Sequence, residues 1–288
     1  MNWLKVAFTK AYANPDVKNK IKALFAAQYA TYQMWRAWGV TPDALFGVSL
    51  GEFVAATISG VITVEDGLHA VAYSDYLANR FPAGSSAAVG MGEDLLRDTL
   101  PDGVFVAVSA SPNQTIISGE TLALATFSEG LAKKGVAVHP KVAEAPFHSP
   151  LMAPWVDELM QPLRDMPLGG VSIPYISCVT GNWAQNSEVN EITHYRQLFE
   201  GESKIMTGFE RLMEWIGSEE AILLEGGLGS SLSSFARQTR GLSSSHNIYS
   251  TTPESWSISS DAKPDKIGKH LLSVIGSIWM QGSNFNWL

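Results

Sequence analysis

Residues 44–52 read Ala44-Leu45-Phe46-Gly47-Val48-Ser49-Leu50-Gly51-Glu52: an apolar run, a Gly-x-Ser-x-Gly turn, and then a helical stretch from Phe53. Strand, tight turn and helix in that order are the unit of a parallel α/β layer, and they decide the fold class. The two glycines permit a bend that a side chain would obstruct, and the bend lifts the Ser49 hydroxyl to the positive end of the following helix. The N–H of Leu50 then points to where an oxyanion would form. Ser49 is the candidate nucleophile and Leu50 a candidate oxyanion donor. The bare pattern also occurs in ordinary glycine-rich turns, so the flanking strand and helix are what favour the catalytic reading.

Upstream, segment 18–38 carries apolar residues at helical spacing (Ile21, Leu24, Phe25, Tyr29, Met34) and stops at Gly39. Downstream the texture changes near residue 86. Ala87 to Met91 reads as a strand, Glu93 to Thr99 as a helix, Val104 to Val108 and Thr115 to Ser118 as strands, Leu122 to Lys134 as a helix and Val136 to Val142 as a strand. That βαββαβ run is the signature of a small ferredoxin-like unit. The body then resumes, with strands at Ile173 to Cys178 and Ala221 to Leu224 and a helix from Lys266 to Met280. Residues 241–262, rich in Ser and Thr, read as a surface loop. The expected architecture is α/β: a large α/β-hydrolase-like subdomain with a parallel sheet, formed by residues 1–85 and 148–288, and an inserted ferredoxin-like subdomain over residues 86–147.

A serine at its free pKa needs a base, and six histidines are available. His148, in Ala145-Pro146-Phe147-His148-Ser149-Pro150, stands where the small unit returns to the body, over the crevice between subdomains. It is the candidate base. His69 falls within a helix and His139 within a strand, while His194, His246 and His270 lie in polar or terminal stretches. All five read as surface or packing residues.

Composition narrows the rest. Hydrophobic residues at 45% and charged residues at 17% suit a globular enzyme and not a disordered chain. The longest apolar runs fall short of the roughly 20 residues a bilayer span needs, and no signal pattern appears, so a cytoplasmic protein without membrane association is expected. A net charge of −8 disfavours nucleic acid. The single cysteine, Cys178, lies in an apolar stretch and reads as a buried thiol, and no Cys/His cluster has zinc-site spacing.

These motifs together resemble the malonyl-CoA:acyl carrier protein acyltransferase family, which includes the acyltransferase domains of polyketide and fatty-acid synthases. Gly47, Ser49, Gly51 and Glu52 match its G-H-S-x-G-E pattern, and Phe147-His148-Ser149 its A-F-H-S segment. Ser111-Pro112 and Ser118-Gly119 are similar to its S-P and S-G pairs, Leu224 to Gly229 to its L-E-V-G-P-G, and Gly282 to Trp287 to its close. The resemblance implies transfer of an acyl group through a Ser49 acyl-enzyme, with His148 as base, to the phosphopantetheine thiol of an acyl carrier protein. It further implies an acyl-CoA or acyl-carrier donor, neighbouring synthase domains as partners, no bound cofactor, and orientation of His148 by a backbone carbonyl around Glu225, Gly226 and Gly227.

The chain departs from the family at three places. The arginine that grips a malonyl carboxylate is replaced by Ser74, and leaving such a charge unpaired would cost several kcal/mol. An acyl group without a free carboxylate is therefore expected, with Arg80 nearby as the alternative cation; Leu50 and Phe147, by contrast, match malonyl-type choices. Val48 replaces the histidine before the nucleophile, and with Ser74 and Phe147 completes the expected substrate contacts. The family's opening strand with its G-Q-G has no counterpart in residues 1–38, as though roughly forty residues were absent. Two alternatives stay open: an acyl-thioester hydrolase on the same scaffold, and a degenerate acyltransferase-like docking domain.

Overall fold

The computed structural model describes residues 20–77, 80–141, 145–217, 219–227, 229–239, 247–253 and 264–286. In chain order these form α1 (Lys20–Ala37), β1 (Leu45–Gly47), α2 (Leu50–Ser59), α3 (Val64–Leu77), β2 (Ser85–Val89), α4 (Glu93–Leu96), β3 (Val104–Ser111), β4 (Gln114–Gly119), α5 (Thr121–Lys133) and β5 (Val138–Lys141). There follow α6 (Ala153–Leu159), β6 (Tyr175–Ser177), β7 (Asn182–Trp183), α7 (Asn186–Val189), α8 (Ile192–Glu200), α9 (Ile205–Ile216), β8 (Ile222–Glu225), α10 (Ser231–Gln238), β9 (Asn247–Ser250) and α11 (Pro264–Met280).

The first strand pairs in parallel with a strand far along the chain, β6, in the register Leu45 to Tyr175 and Gly47 to Ser177. A parallel partner needs a long crossover, and here the whole ferredoxin-like unit lies within it. The helix after β1 is buried nearly all round (Glu52, Phe53, Val54, Ala55, Ala56, Thr57 and Ser59), as a core helix must be. Its apolar residues join Phe25, Val71, Leu77, Met152, Val156, Tyr175, Tyr195 and Leu198 in the main core.

Residues 85–141 build a four-stranded sheet of order β3-β4-β2-β5, antiparallel throughout, which is ferredoxin-like topology. One face carries α4 and α5 over Ala87, Val89, Leu96, Val104, Ile117, Leu124 and Leu131. On β3 the register shifts between Val106 and Val108. A bulge of this kind changes which residues share a face. Beyond it Ala107, Val108 and Ala110 pack with Ile205 and Phe209 of α9 and Ala236 of α10. The small sheet is thus attached to the body chiefly along β3, with Ile116 of β4 in the same cluster.

In the body, parallel pairing holds at β1 with β6 and at β8 with β9, but β7 is antiparallel to β6, and the two parallel pairs belong to separate small sheets. Residues 247–250, expected within a surface loop, form β9, because Ile248 and Tyr249 have apolar neighbours to cover in α10 and α11. Thr251 and Thr252 follow it and are buried, and the remainder of that expected loop lies outside the described residues at 241–246 and 254–262, with His246; so do Val142, Leu228 and Trp287 of the motifs above. No helix among the described residues is long and apolar enough to cross a membrane.

Candidate active site

Ser49 closes the turn between β1 and α2 with φ 55° and ψ −118°. It and His148 (φ 59°) are the two non-glycine residues with positive φ among those described. Such conformations cost about 1–3 kcal/mol each and persist only where the surroundings enforce them. Here Gly51 N–H donates to Val48 O at 2.8 Å and Glu52 N–H to Ser49 O at 2.9 Å. Ser49 N–H donates to Cys178 Sγ at 3.4 Å. A Cβ on Gly47 would stand 2.2 Å from Gly51 O, so the first glycine is obligatory. The second is not, contrary to the sequence reading: a Cβ on Gly51 meets nothing within 4 Å. Leu50 opens the helix, and its N–H belongs to the first turn, where amides have no intrahelical acceptor.

His148 arrives from the loop before a 3-10 turn, its own N–H fixed by Phe199 O at 2.8 Å. Its Nε2 lies 3.1 Å from Ser49 Oγ. Its Nδ1 lies 3.3 Å from Gly201 O and 3.2 Å from Ser203 Oγ. A carbonyl oxygen only accepts, so Nδ1 carries the proton and Nε2 is left to accept from the Ser49 hydroxyl. Burial lowers the pKa of His148 from the ordinary 6.5 to about 4, the Gly201 carbonyl offsetting part of the effect. At neutral pH the ring is uncharged and able to take a proton.

The orienting carbonyl is therefore Gly201, and the expectation of Glu225, Gly226 and Gly227 is corrected. Glu225 caps a helix instead: its carboxylate accepts the N–H groups of Leu232 at 3.2 Å and Ser233 at 2.8 Å, at the start of α10. That segment is held by the helix it caps, whereas Gly201 follows α8, whose Phe199 already holds the His148 backbone.

The other expected contacts divide. Val48 packs between two core clusters, and Phe147 packs edge-on against Phe81 at 5.5 Å between ring centroids. Ser74 is buried on α3 with its hydroxyl turned back onto Ala70 O at 3.3 Å. Arg80, the alternative cation, pairs with Glu158 at 2.5 Å on the surface.

Three features escaped the sequence. His194, expected at the surface or as mere packing, is buried with Nε2 3.0 Å from Glu52 Oε1. The other Glu52 oxygen accepts Cys178 N–H at 2.9 Å, so the motif glutamate supports the residue beneath Ser49. Ser203 Oγ reaches Cys178 Sγ at 3.8 Å as well as the His148 ring. Local sequence around Gly201 and Ser203, Phe-Glu-Gly-Glu-Ser, carries no pattern that marks them. Cys178 is buried as expected, and burial pushes its thiol pKa well up.

A cavity of about 570 Å³ adjoins His148, lined among others by Leu100, Pro101, Val104, Glu200, Gly201 and Glu202. Among the described residues no group of three or more His, Cys, Asp or Glu could hold a metal ion.

A family profile described as the acyl transferase domain matches residues 13–203, which include both site residues and Gly201. The chain is 35% identical over 163 residues to a phenolphthiocerol-synthesis type I polyketide synthase of Mycobacterium marinum, covering 56% of this chain and 8% of that protein. It is 26% identical over 267 residues to a phenolphthiocerol/phthiocerol polyketide synthase component of Mycobacterium tuberculosis, covering 92% of this chain and 17% of that protein. The chain thus spans a small fraction of these relatives. Among solved structures, the acyl transferase domain of SpnD in complex with 2-(pent-4-yn-1-yl)malonyl superposes with a TM-score of 0.86 at 25% identity, over 97% of this chain and 70% of that one. With the profile covering well over half of its length, the chain belongs to the acyl transferase domain family found in polyketide synthases.

Proposed function

We propose that the chain transfers an acyl group from a thioester to the phosphopantetheine thiol of an acyl carrier protein by way of Ser49. The observation that carries this reading is the 3.1 Å approach of His148 Nε2 to Ser49 Oγ, with the opposite ring nitrogen held by Gly201 and Ser203. Ser49 Oγ attacks the acyl carbonyl of an acyl-CoA or acyl-carrier donor while His148 takes its proton. The oxyanion forms opposite the helix N-terminus beside Leu50 N–H and collapses, and the departing thiolate recovers the proton from His148. The carrier thiol then gives its proton to His148 and attacks the Ser49 ester; the intermediate collapses with cleavage of the ester bond, and His148 passes the proton to the departing Ser49 oxygen, which restores the serine. Neighbouring synthase domains supply the carrier, as the size of the polyketide synthase relatives suggests.

The acyl group in this proposal lacks a free carboxylate. Ser74 supplies only a hydroxyl already bonded to its own helix, and Arg80 is engaged by Glu158. Intact-mass analysis after exposure to a panel of acyl-CoA and acyl-carrier donors tests both levels. The expected result is a mass increase on Ser49, absent in Ser49→Ala, with uncharged acyl groups retained. Preferential malonylation would overturn the specificity and spare the nucleophile. Release of free acid with no acylated acceptor would make the protein a thioester hydrolase, and labelling unaffected by Ser49→Ala would leave only a docking role.

A further inference from the structure

The segment Gly201 to Lys204, which holds the His148 ring, is tied on both sides. Ser203 N–H donates to Ala107 O at 2.8 Å and Ser203 O accepts Ser109 N–H at 3.1 Å, so the segment forms a short parallel bridge to β3 of the ferredoxin-like unit. On the body side Lys204 N–H donates to Cys178 O at 2.8 Å. One side-chain contact joins these backbone ties. Arg97, in the 3-10 turn after α4, places Nη2 2.8 Å from Glu202 Oε2 and 2.9 Å from Glu93 Oε1. Glu202 lies between the carbonyl and the hydroxyl that face His148 Nδ1.

We propose that Arg97 is a positioning residue for His148, acting through Glu202. By drawing Glu202 toward the small subdomain it holds the Gly201 carbonyl and the Ser203 hydroxyl against Nδ1, which keeps the proton there and leaves Nε2 free for Ser49. This inference rests on the reading of Ser49 and His148 as nucleophile and base. Both contacts to Nδ1, at 3.3 and 3.2 Å, are already at the long end of hydrogen bonding, so a displacement of a few tenths of an ångström forfeits them. The Arg97 side chain is 49% exposed, so its ion pair adds little to stability. Its effect is geometric, and it falls on catalysis. Arg97 also lines the cavity beside His148, which defines the competing role: direct contact with the acyl donor.

The test is kinetic. Arg97→Gln, Glu202→Gln, the double variant and Arg97→Lys are compared with the unaltered chain for acyl transfer and for labelling of Ser49 by a fluorophosphonate, alongside thermal melting. Each single Gln variant is expected to lose about tenfold or more in kcat and labelling rate, with KM within about twofold and folding intact. The double variant is expected to be no worse than either single one, and Arg97→Lys to recover part of the loss. A rise in KM at constant kcat, multiplicative losses in the double variant, or unchanged labelling each overturn the positioning role. If Arg97→Gln does not fold, Glu202→Gln carries the test, because Arg97 keeps Glu93. An unaltered chain that never labels at Ser49 would instead overturn the catalytic reading beneath it.

Discussion

Ser49 donates its backbone N–H to the thiol of Cys178 at 3.4 Å, so the one cysteine of the chain lies under the bend that carries the Ser49 hydroxyl. The contact links β1 to the end of β6, and the parallel pairing of those strands is what brings residue 178 beneath residue 49. Sulfur is a large, soft acceptor, suited to an N–H turned inward by positive φ.

Removing the thiol tests that support. Cys178→Ala leaves a small void and no acceptor, with an expected loss of about 1–2 kcal/mol in urea unfolding and a several-fold slower fluorophosphonate labelling of Ser49. Cys178→Ser keeps an acceptor and should label faster than Cys178→Ala. Because the thiol is buried and its pKa raised, iodoacetamide should leave it unmodified until denaturant is added, as peptide mass mapping would show.

Glu52 should matter more for folding. Its carboxylate is wholly buried between His194 and the Cys178 amide, so Glu52→Ala strands two polar groups and is expected to cost about 3 kcal/mol. Glu52→Gln, which preserves size and one acceptor, should cost less. Chemical denaturation of both variants reads the difference, and equal costs would assign the effect to packing instead of hydrogen bonding.

The two glycines of the turn should separate. Gly47→Ala drives a methyl group into Gly51 O and is expected to destabilise by at least ~3 kcal/mol, or to prevent recovery of folded protein. Gly51→Ala meets open space within a helix and should stabilise by about 0.5 kcal/mol. Melting temperatures decide between this asymmetry and an equal need for both.

Acid should affect the site late. His148 takes a proton at about pH 4 in the folded chain and near 6.5 when unfolded. Ser49 labelling should stay level from neutral pH down to about pH 5 and then fall about tenfold per unit below pH 4, as the base becomes protonated. The unfolded state binds this proton first, so falling pH favours unfolding between 6.5 and 4, and that contribution levels off below 4. A labelling midpoint near 6.5 would contradict the desolvated imidazole.

Much of the site was legible because its logic is local. A strand, a bend that admits only glycine at position 47, and a helix N-terminus are consecutive in the chain, so the order of residue types alone places Ser49. The ferredoxin-like unit was legible for a related reason: its strands and helices alternate in a βαββαβ order that local spacing reports, although β2 pairs with β4 and β5 rather than with its sequence neighbour. His148 stands out as the histidine at the point where that unit rejoins the body.

What holds His148 was not legible. Gly201, Ser203 and Cys178 reach the His148 ring and Ser49 only because β6 lies beside β1 and the segment after α8 bridges to β3, contacts between residues far apart in sequence. The misplacement of the orienting carbonyl at residues 225–227 and the missed pairing of His194 with Glu52 have one cause. Hydrophobic spacing and turn residues report how a segment folds on itself, while the partner of a buried polar group is chosen by whichever distant segment packing brings within about 3 Å. Sequence alone determined the bend at Ser49, the helix after it and the inserted sheet; tertiary packing decided which groups hold the His148 ring in place, because no short stretch of chain contains both ends of those hydrogen bonds.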